Sequence, residues 1–460
     1  MATIQKKLAL RWAPATVLLL AKFAIAQEPQ QPTTEPSETR NSRLYFFDQP
    51  LIQALEFDDS IEFPFEQNAL PEEDDPEFKR RLASINQYNE AVRATEFDGG
   101  VWDSSLTEDL TVLGSLLQQQ GDHLQAIETF DRVVHISRIN NGLDTLDQVP
   151  AVEQMIESYL AISDWEQADL YYNYLFYIQE KAYGSADPRI IPVIDLLATW
   201  NLRAFNIGFD EDLGERLSTA QILFSGAAQM VALHFGKSDE RFTLYQRNIA
   251  NTAYLVAKHP DLMRNLNSVD FRMNEEALRR KIGAGDQESS RGFQAGETAL
   301  LEVLDFQRQE GDSPVALAEA IADLADWYLI FQRRRNASAL YAEAWQVLSE
   351  TENSEELLAN FFGQVVPLPT FLAAPTSLVF NSSIARDTSE LQVGYADVVF
   401  DVTENGIVRD LEVVGAEEDD GYNIIGKLRR EVRGSIFRPI VKDGETIRTS
   451  GNQFRYRFWY

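Results

Sequence analysis

Leu113-Gly114-Ser115-Leu116-Leu117-Gln118-Gln119-Gln120-Gly121-Asp122-His123-Leu124-Gln125-Ala126-Ile127-Glu128-Thr129-Phe130-Asp131-Arg132-Val133 sets the fold of most of the chain. Leu113, Gly114 and Leu117 fall on one face of a helix, Gly121-Asp122 interrupts it, and Ala126, Phe130 and Val133 form the stripe of a second helix at offsets of four and three. A small residue where two antiparallel helices cross lets their backbones approach, and the aromatic one turn later fills the space toward the next pair. The frame returns 42 residues on as Tyr159, Ala168, Tyr172 and Leu175, and again as Leu324-Ala325, Tyr328, Ala337, Tyr341 and Ala344. Self-similarity of this kind marks stacked helical hairpins.

These offsets are those of tetratricopeptide helix pairs, and the chain resembles that family over residues 78–350. The resemblance implies a mostly α fold, a solenoid of hairpins, with Gly114, Ala126, Phe130, Ala168, Tyr172, Ala337 and Tyr341 as its packing positions. Ser105-x-x-Glu108 and Ser163-x-x-Glu166 read as capping boxes, and Asp187-Pro188 and Ser313-Pro314 as capped starts with proline at the first helical position. Residues 188–235 fit a third, lengthened pair. Two helices are expected between 242 and 282, a polar glycine-rich loop over Gly283 to Gly292, and a further helix through Gln309. The array is expected to end near Glu350, with residues 351–390 as a partly ordered connector.

Outward on the N-terminal side, Lys6, Lys7 and Arg11 precede the apolar run Trp12 to Ala21, and Ala24-Ile25-Ala26 offers a small-x-small cleavage site. Ten apolar residues are too few to span a bilayer, which takes about 20, so residues 1–26 read as a cleaved export signal. Residues 27–77 form a leader. It is polar and expected to be disordered over 27–43, then rich in aromatics and acids. The 460-residue chain has no cysteine, which removes disulfides, thiolate metal sites and covalent thiol catalysis. Cleavage would remove four of the 41 basic side chains and none of the 72 acidic ones, taking the net charge from −31 to −35. Such a charge repels phosphate backbones, so nucleic acid is not an expected partner.

At the other end, Ala396, Val398, Phe400 and Val402 alternate with Asp397 and Asp401 as in a half-buried strand, and Asn405-Gly406 supplies a hairpin turn. Ile424, Ile425, Leu428 and Val432 form a helical stripe, Lys442-Asp443-Gly444-Glu445 a second turn, and Phe454, Tyr456, Phe458 and Tyr460 a last strand. On Val398-x-Phe400, Asn405-Gly406, Val413, Val432, Phe437-x-Pro439 and Gly444, residues 391–460 resemble the C-terminal domain of TonB-type energy transducers. That resemblance implies a small α+β domain, a three-stranded antiparallel sheet with helices on one face, whose edge strand adds an extended peptide. It leaves dimerisation through this domain open.

From residue 426 onward nine Lys and Arg face three Asp and Glu, so an acidic partner segment would be steered there. Arg429, Arg430, Arg433, Phe454, Tyr456 and Phe458 are the candidate partner-binding residues, with solvation of a helix face as the competing reading of the arginines.

Motifs for chemistry fail on their own terms. Gly421-x-x-x-x-Gly426-Lys427 has Leu428 where a phosphate loop needs a hydroxyl, and none of the four histidines forms a metal-binding helical pair. Asp210-x-Asp212 with Glu215 lacks the twelve-residue spacing of a calcium loop. No G-x-S-x-G elbow occurs. An envelope hydrolase would need a catalytic constellation that the sequence does not display. The expectation is therefore a protein without cofactor, metal or small-molecule substrate. It would be a periplasmic adaptor of a Gram-negative envelope, its repeats holding a protein partner in an acidic groove and its C-terminal domain adding a peptide strand. The alternative is a membrane-tethered TonB-type transducer acting on outer-membrane receptors, expected only with residues 1–26 uncleaved.

Overall fold

Each amphipathic stripe from Leu106 onward buries itself against the next one in the chain. The computed structural model describes residues 51–52, 76–209, 212–263, 269–283, 292–370, 393–416 and 424–459. The segment 1–26, most of the leader, the loop residues 284–291 and the connector residues 371–390 lie outside them.

After α1 (Pro76–Gly99), the helices α2 (Leu106–Gln119), α3 (His123–Asn141), α4 (Val149–Ala161), α5 (Trp165–Tyr183), α6 (Ile191–Ile207), α7 (Leu213–His234) and α8 (Glu240–Lys258) each pack on the one before. The chain then departs from this rule. α9 (Val269–Lys281) lies against α7, and α10 (Phe293–Gln309) packs on α8, so α9 is an insertion between the two halves of the fourth pair. α11 (Pro314–Ile330), α12 (Arg334–Ser349) and α13 (Ser354–Phe362) complete the series. This is an α-solenoid of tetratricopeptide-like hairpins followed by a small antiparallel α+β part, the fold class the sequence implies.

The three repeat frames share one turn. Gly121, Ser163 and Gln332 all take positive φ. The amide after each donates back into the preceding helix: Asp122 to the Leu117 carbonyl (2.9 Å), Asp164 to Tyr159 (2.9 Å) and Arg333 to Tyr328 (2.8 Å). Ser163 therefore ends α4 rather than capping α5. The cap is Asp164, whose carboxylate accepts from the Gln167 amide. Ser105 makes no cap bond either, because its own amide and hydroxyl donate to Asp103 Oδ1. Asp187 and Ser313 do accept from the first-turn amides of Arg189 and Ala316.

Ala126, Ala168, Ala337, Phe130 and Tyr341 are fully buried. Tyr172 stacks on Trp200 of the next pair at 5.0 Å and 16°. Gly114 faces Phe130, whose ring would lie 2.6 Å from any added Cβ. Gly296 of α10 meets Trp327 of α11 in the same way at 2.2 Å, a contact the sequence frame did not single out.

Past the solenoid, β2 (Val366–Pro367) precedes β3 (Val393–Val402), β4 (Val408–Ala416), α14 (Ile424–Gly434), β5 (Phe437–Arg438), β6 (Ile440–Lys442), β7 (Glu445–Ile447) and β8 (Thr449–Trp459). With β1 (Leu51–Ile52) from the leader, the main sheet runs β1-β8-β3-β4, antiparallel throughout. Ala396, Val398, Phe400 and Val402 turn to one face and bury with Leu428 and Val432 of α14, Phe437 and Phe454.

Gly406, at φ +72, closes the β3–β4 turn, and its carbonyl accepts from the Phe437 amide at 2.9 Å. Within the connector, α13 extends the helices past Glu350, and β2 pairs with β5. Val441 joins the core of α11 and α12, so the C-terminal part is built into the end of the solenoid.

Candidate protein-binding groove and sheet margin

The join between the two parts is a buried ion pair. α11 is apolar almost throughout, yet it carries Asp323 and Asp326 three residues apart on a buried face. Arg438 of β5 grips Asp326 with both arms, Nε to Oδ1 at 2.9 Å and Nη2 to Oδ2 at 2.5 Å, with side-chain exposures of 8% and 0%. The hydroxyls of Tyr341 (2.6 Å) and Thr370 (3.2 Å) donate to the same carboxylate.

Beside it Arg247 of α8 donates to Asp323 at 2.7 Å and reaches Glu319 at 3.5 Å. Burial pushes the Asp323 carboxyl up, and Arg247 opposes the shift. Burial alone would lower the Arg438 guanidinium, but the Asp326 charge holds it above its ordinary value.

Arg247, Glu319, Asp323, Thr370 and Arg438 of this network line a groove of about 660 Å³ between α8, α10 and α11, with Phe361 beside them. Two stripes face each other across it, Glu240, Thr243, Leu244 and Arg247 on α8 and Ala316, Glu319, Ala320 and Asp323 on α11. Both run i, i+3, i+4, i+7, which is one helix face.

Further toward the N-terminus, burial raises the carboxyls of Glu153 and Glu157 on α4. It pushes Asp195 of α6, next to Tyr245, up to about 6. The sign of the last effect gives a test. The unfolded Asp195 titrates near pH ~3.9, so between about pH 4 and 6 the native state holds the extra proton, and stability falls as pH rises through that window. Asp195→Asn should match the parent below pH ~4 and exceed it by roughly 3 kcal/mol at pH 7, as read by urea denaturation at both pH values.

The sequence-derived partner residues separate into two groups. Arg429, Arg430 and Arg433 are exposed on α14, while Glu431 between them anchors that helix to Lys258 of α8 at 3.2 Å. Phe454 is 1% exposed and stacks on Phe400 at 5.2 Å. That is a correction: its ring belongs to the core, and only its backbone can meet a partner. Tyr456 is half-buried against the same core, and Phe458 pairs with Gly394 across the β8–β3 ladder.

The two sheet margins differ physically. The β3–β4 ladder is broken by two bulges, and β4 carries exposed Arg409, Asp410 (φ +51) and Glu412, devices that blunt an edge. The β3–β8 ladder is continuous from Val393 to Phe400, and Arg455 braces it with a two-armed bond to Asp397 at 2.6 Å. On the outer side of β8, Leu51 and Ile52 pair with Arg455 and Phe454.

The residues weighed for chemistry have structural surroundings. His234 contacts the Ala186 carbonyl at 3.1 Å, His135 the Trp102 ring and His259 the Phe205 ring, and His123 opens α3. Gly426 lies within α14, whereas Gly421, the acidic runs 72–75 and 417–420, and Asp210 fall outside the described residues. Among the described residues no three His, Asp or Glu side chains are grouped to hold a metal ion, and no helix is long and apolar enough to cross a membrane.

No family model matches the chain, and no curated protein matches it. Among solved structures, it is similar to BtubC (BKLC) from P. vanneervenii at 13% identity and a TM-score of 0.35, over 59% of this chain and 91% of that one. It is also similar to the TPR-like repeats of a Podosopora anserina kinesin-light-chain-type protein at 15% identity and a TM-score of 0.36, over 55% of this chain and 99% of that one. Likeness at this level carries no argument about activity, and the fold rests on the shared turns and packing order of the chain's own helices.

Proposed function

We propose that the protein is a non-enzymatic scaffold of a Gram-negative cell envelope, exported to the periplasm. Its repeats hold a protein partner and its C-terminal sheet adds an extended peptide strand along β8. The observation that supports this reading is β1: the chain's own Leu51–Ile52 lies on β8 as an added antiparallel strand, the mode in which main-chain bonds give affinity and alternate side chains give selectivity. The regular β8 ladder is a better template than bulged β4.

The test uses a labelled peptide of residues 46–58 and the full chain, with and without Leu51→Pro and Ile52→Pro to vacate the margin. Binding should tighten about tenfold in the vacated chain, since an internal strand that covers the margin about nine-tenths of the time leaves about a tenth of the chains competent. Of the adjacent Phe454 and Arg455 amides, the one that points away from β3 should exchange more slowly on binding. Equal affinity for both chains, or protection along β4 instead, would refute strand addition at β8. Export is tested separately by N-terminal sequencing of the envelope-extracted protein, with Gln27 as the expected first residue.

A further inference from the structure

We infer that the groove between α8 and α11 receives an extended segment in which Lys or Arg residues alternate with small or aliphatic ones. This rests on the scaffold reading and names the chemistry of the repeat-bound partner.

Charge is the first argument. Around the groove Lys237 pairs with Glu302, Arg241 with Asp239, Arg247 with Asp323 and Glu319, and Arg438 with Asp326. Every one of these cations is committed, while Glu240 stands exposed at the start of α8 and Glu319 keeps a side chain that is 47% accessible. An anionic segment would meet these two carboxylates, while the cations beside them already face acidic partners of the chain's own. A cationic one finds two exposed carboxylate acceptors on facing helices of the groove.

Shape is the second. The groove face of α11 alternates alanine and acid over two turns, Ala316 and Ala320 with Glu319 and Asp323. The alanines leave room for a backbone and short apolar side chains, and Leu244 and Phe306 offer them an apolar wall. Arg438, Phe361 and Thr370 line the groove as well, so a segment bound there lies beside the elements that hold the C-terminal domain.

A third observation is independent of this groove. The first helices of the two earliest full repeats, α2 and α4, carry Glu108, Asp109, Glu153 and Glu157 and no basic residue at all. α11 likewise has no Lys or Arg, whereas α6 and α8 between them carry Arg203, Arg241, Arg247 and Lys258, so the acids of α2, α4 and α11 are what steer a basic partner toward these helices.

The experiment is fluorescence anisotropy on the full-length protein at physiological salt, with three labelled ten-residue peptides in which Lys, Glu or Ser alternates with Ala and Leu. The Lys peptide should bind and the Glu and Ser peptides should not. Glu240→Gln with Glu319→Gln should weaken the Lys peptide at least fivefold, while Glu90→Gln with Glu128→Gln, two exposed acids on α1 and α3, should leave it unchanged. Equal loss in both double variants would show attraction to net charge alone and overturn the assignment. So would binding of the Glu peptide, or no binding of the Lys peptide.

The 46–58 peptide keeps the two readings apart, because its binding at β8 does not pass through Glu240 or Glu319. Retained β8 binding beside a failed Lys peptide defeats the groove assignment only, and the reverse defeats strand addition only.

Discussion

Arg438→Leu lowers the free energy of unfolding by about 3–5 kcal/mol, the usual cost of leaving a buried charge without its partner. Asp326 is 0% exposed, so the carboxylate cannot turn to water when the guanidinium is gone. The Tyr341 and Thr370 hydroxyls stay in reach but bring no charge. Removing the acid as well reverses most of the loss: Arg438→Leu with Asp326→Leu should recover at least half of it, because an apolar pair of similar volume replaces two desolvated ions. Urea denaturation measures both, and a double variant no more stable than Arg438→Leu alone would show that the pair is not what fails. Limited proteolysis adds the location, since the single variant should release the segment after residue 390 while the helices persist.

Gly406→Ala is the second large effect, and the molecule supplies its own control. At Gly406 the backbone sits at φ +72, and a Cβ there would lie 2.2 Å from the Phe437 carbonyl oxygen and 3.1 Å from Leu329 of α11. Gly451 has φ +70 with nothing within 4 Å. Gly451→Ala therefore carries only the left-handed strain of an L-residue, about 1–2 kcal/mol. Gly406→Ala carries that strain plus a backbone collision that no rotamer change relieves, for a total of about 3–4 kcal/mol. The difference between the two melting curves isolates the collision. Equal losses would mean that β5 moves aside without cost.

The two variants also mark the limit of what could be read from the sequence. Periodicity placed the hairpins because burial repeats along a helix every three to four residues. It also located the turn at Asn405-Gly406, because few residues accept its geometry. Arg438 and Asp326 were visible only as a charge in a basic tail and an acid in an apolar helix. Their pairing spans 112 positions, and no local pattern encodes such a distance. A sharper signal was present, since two acids three residues apart on an otherwise apolar helix need a buried partner.

Ser163 misled for a related reason. Serine before an acidic first turn suits a cap, yet the frame required a left-handed residue at that position, and the neighbouring Asp164 could take over the cap. Phe454 misled in the opposite sense. Alternation placed it correctly on a strand, but alternation does not say which face the helix covers. The insertion of α9 was legible as a helix and illegible as an interruption, because its partner α7 lies earlier in the chain than the helix it separates.

That interruption has a thermodynamic meaning. In an array where each hairpin leans only on its neighbours, stability is a sum of local couplings, and melting spreads from the weakest of them. Here the chain leaves the array after α8, wraps α9 back onto α7, and returns, while the apolar interior of the helical array divides into two clusters whose boundary falls at α8 and α10. The helices before that seam and those after it, with the sheet bolted to α11 and α12, form two cooperative blocks joined at a single interface. A calorimetric trace of the intact chain then contains two overlapping transitions, and no single melting temperature describes it.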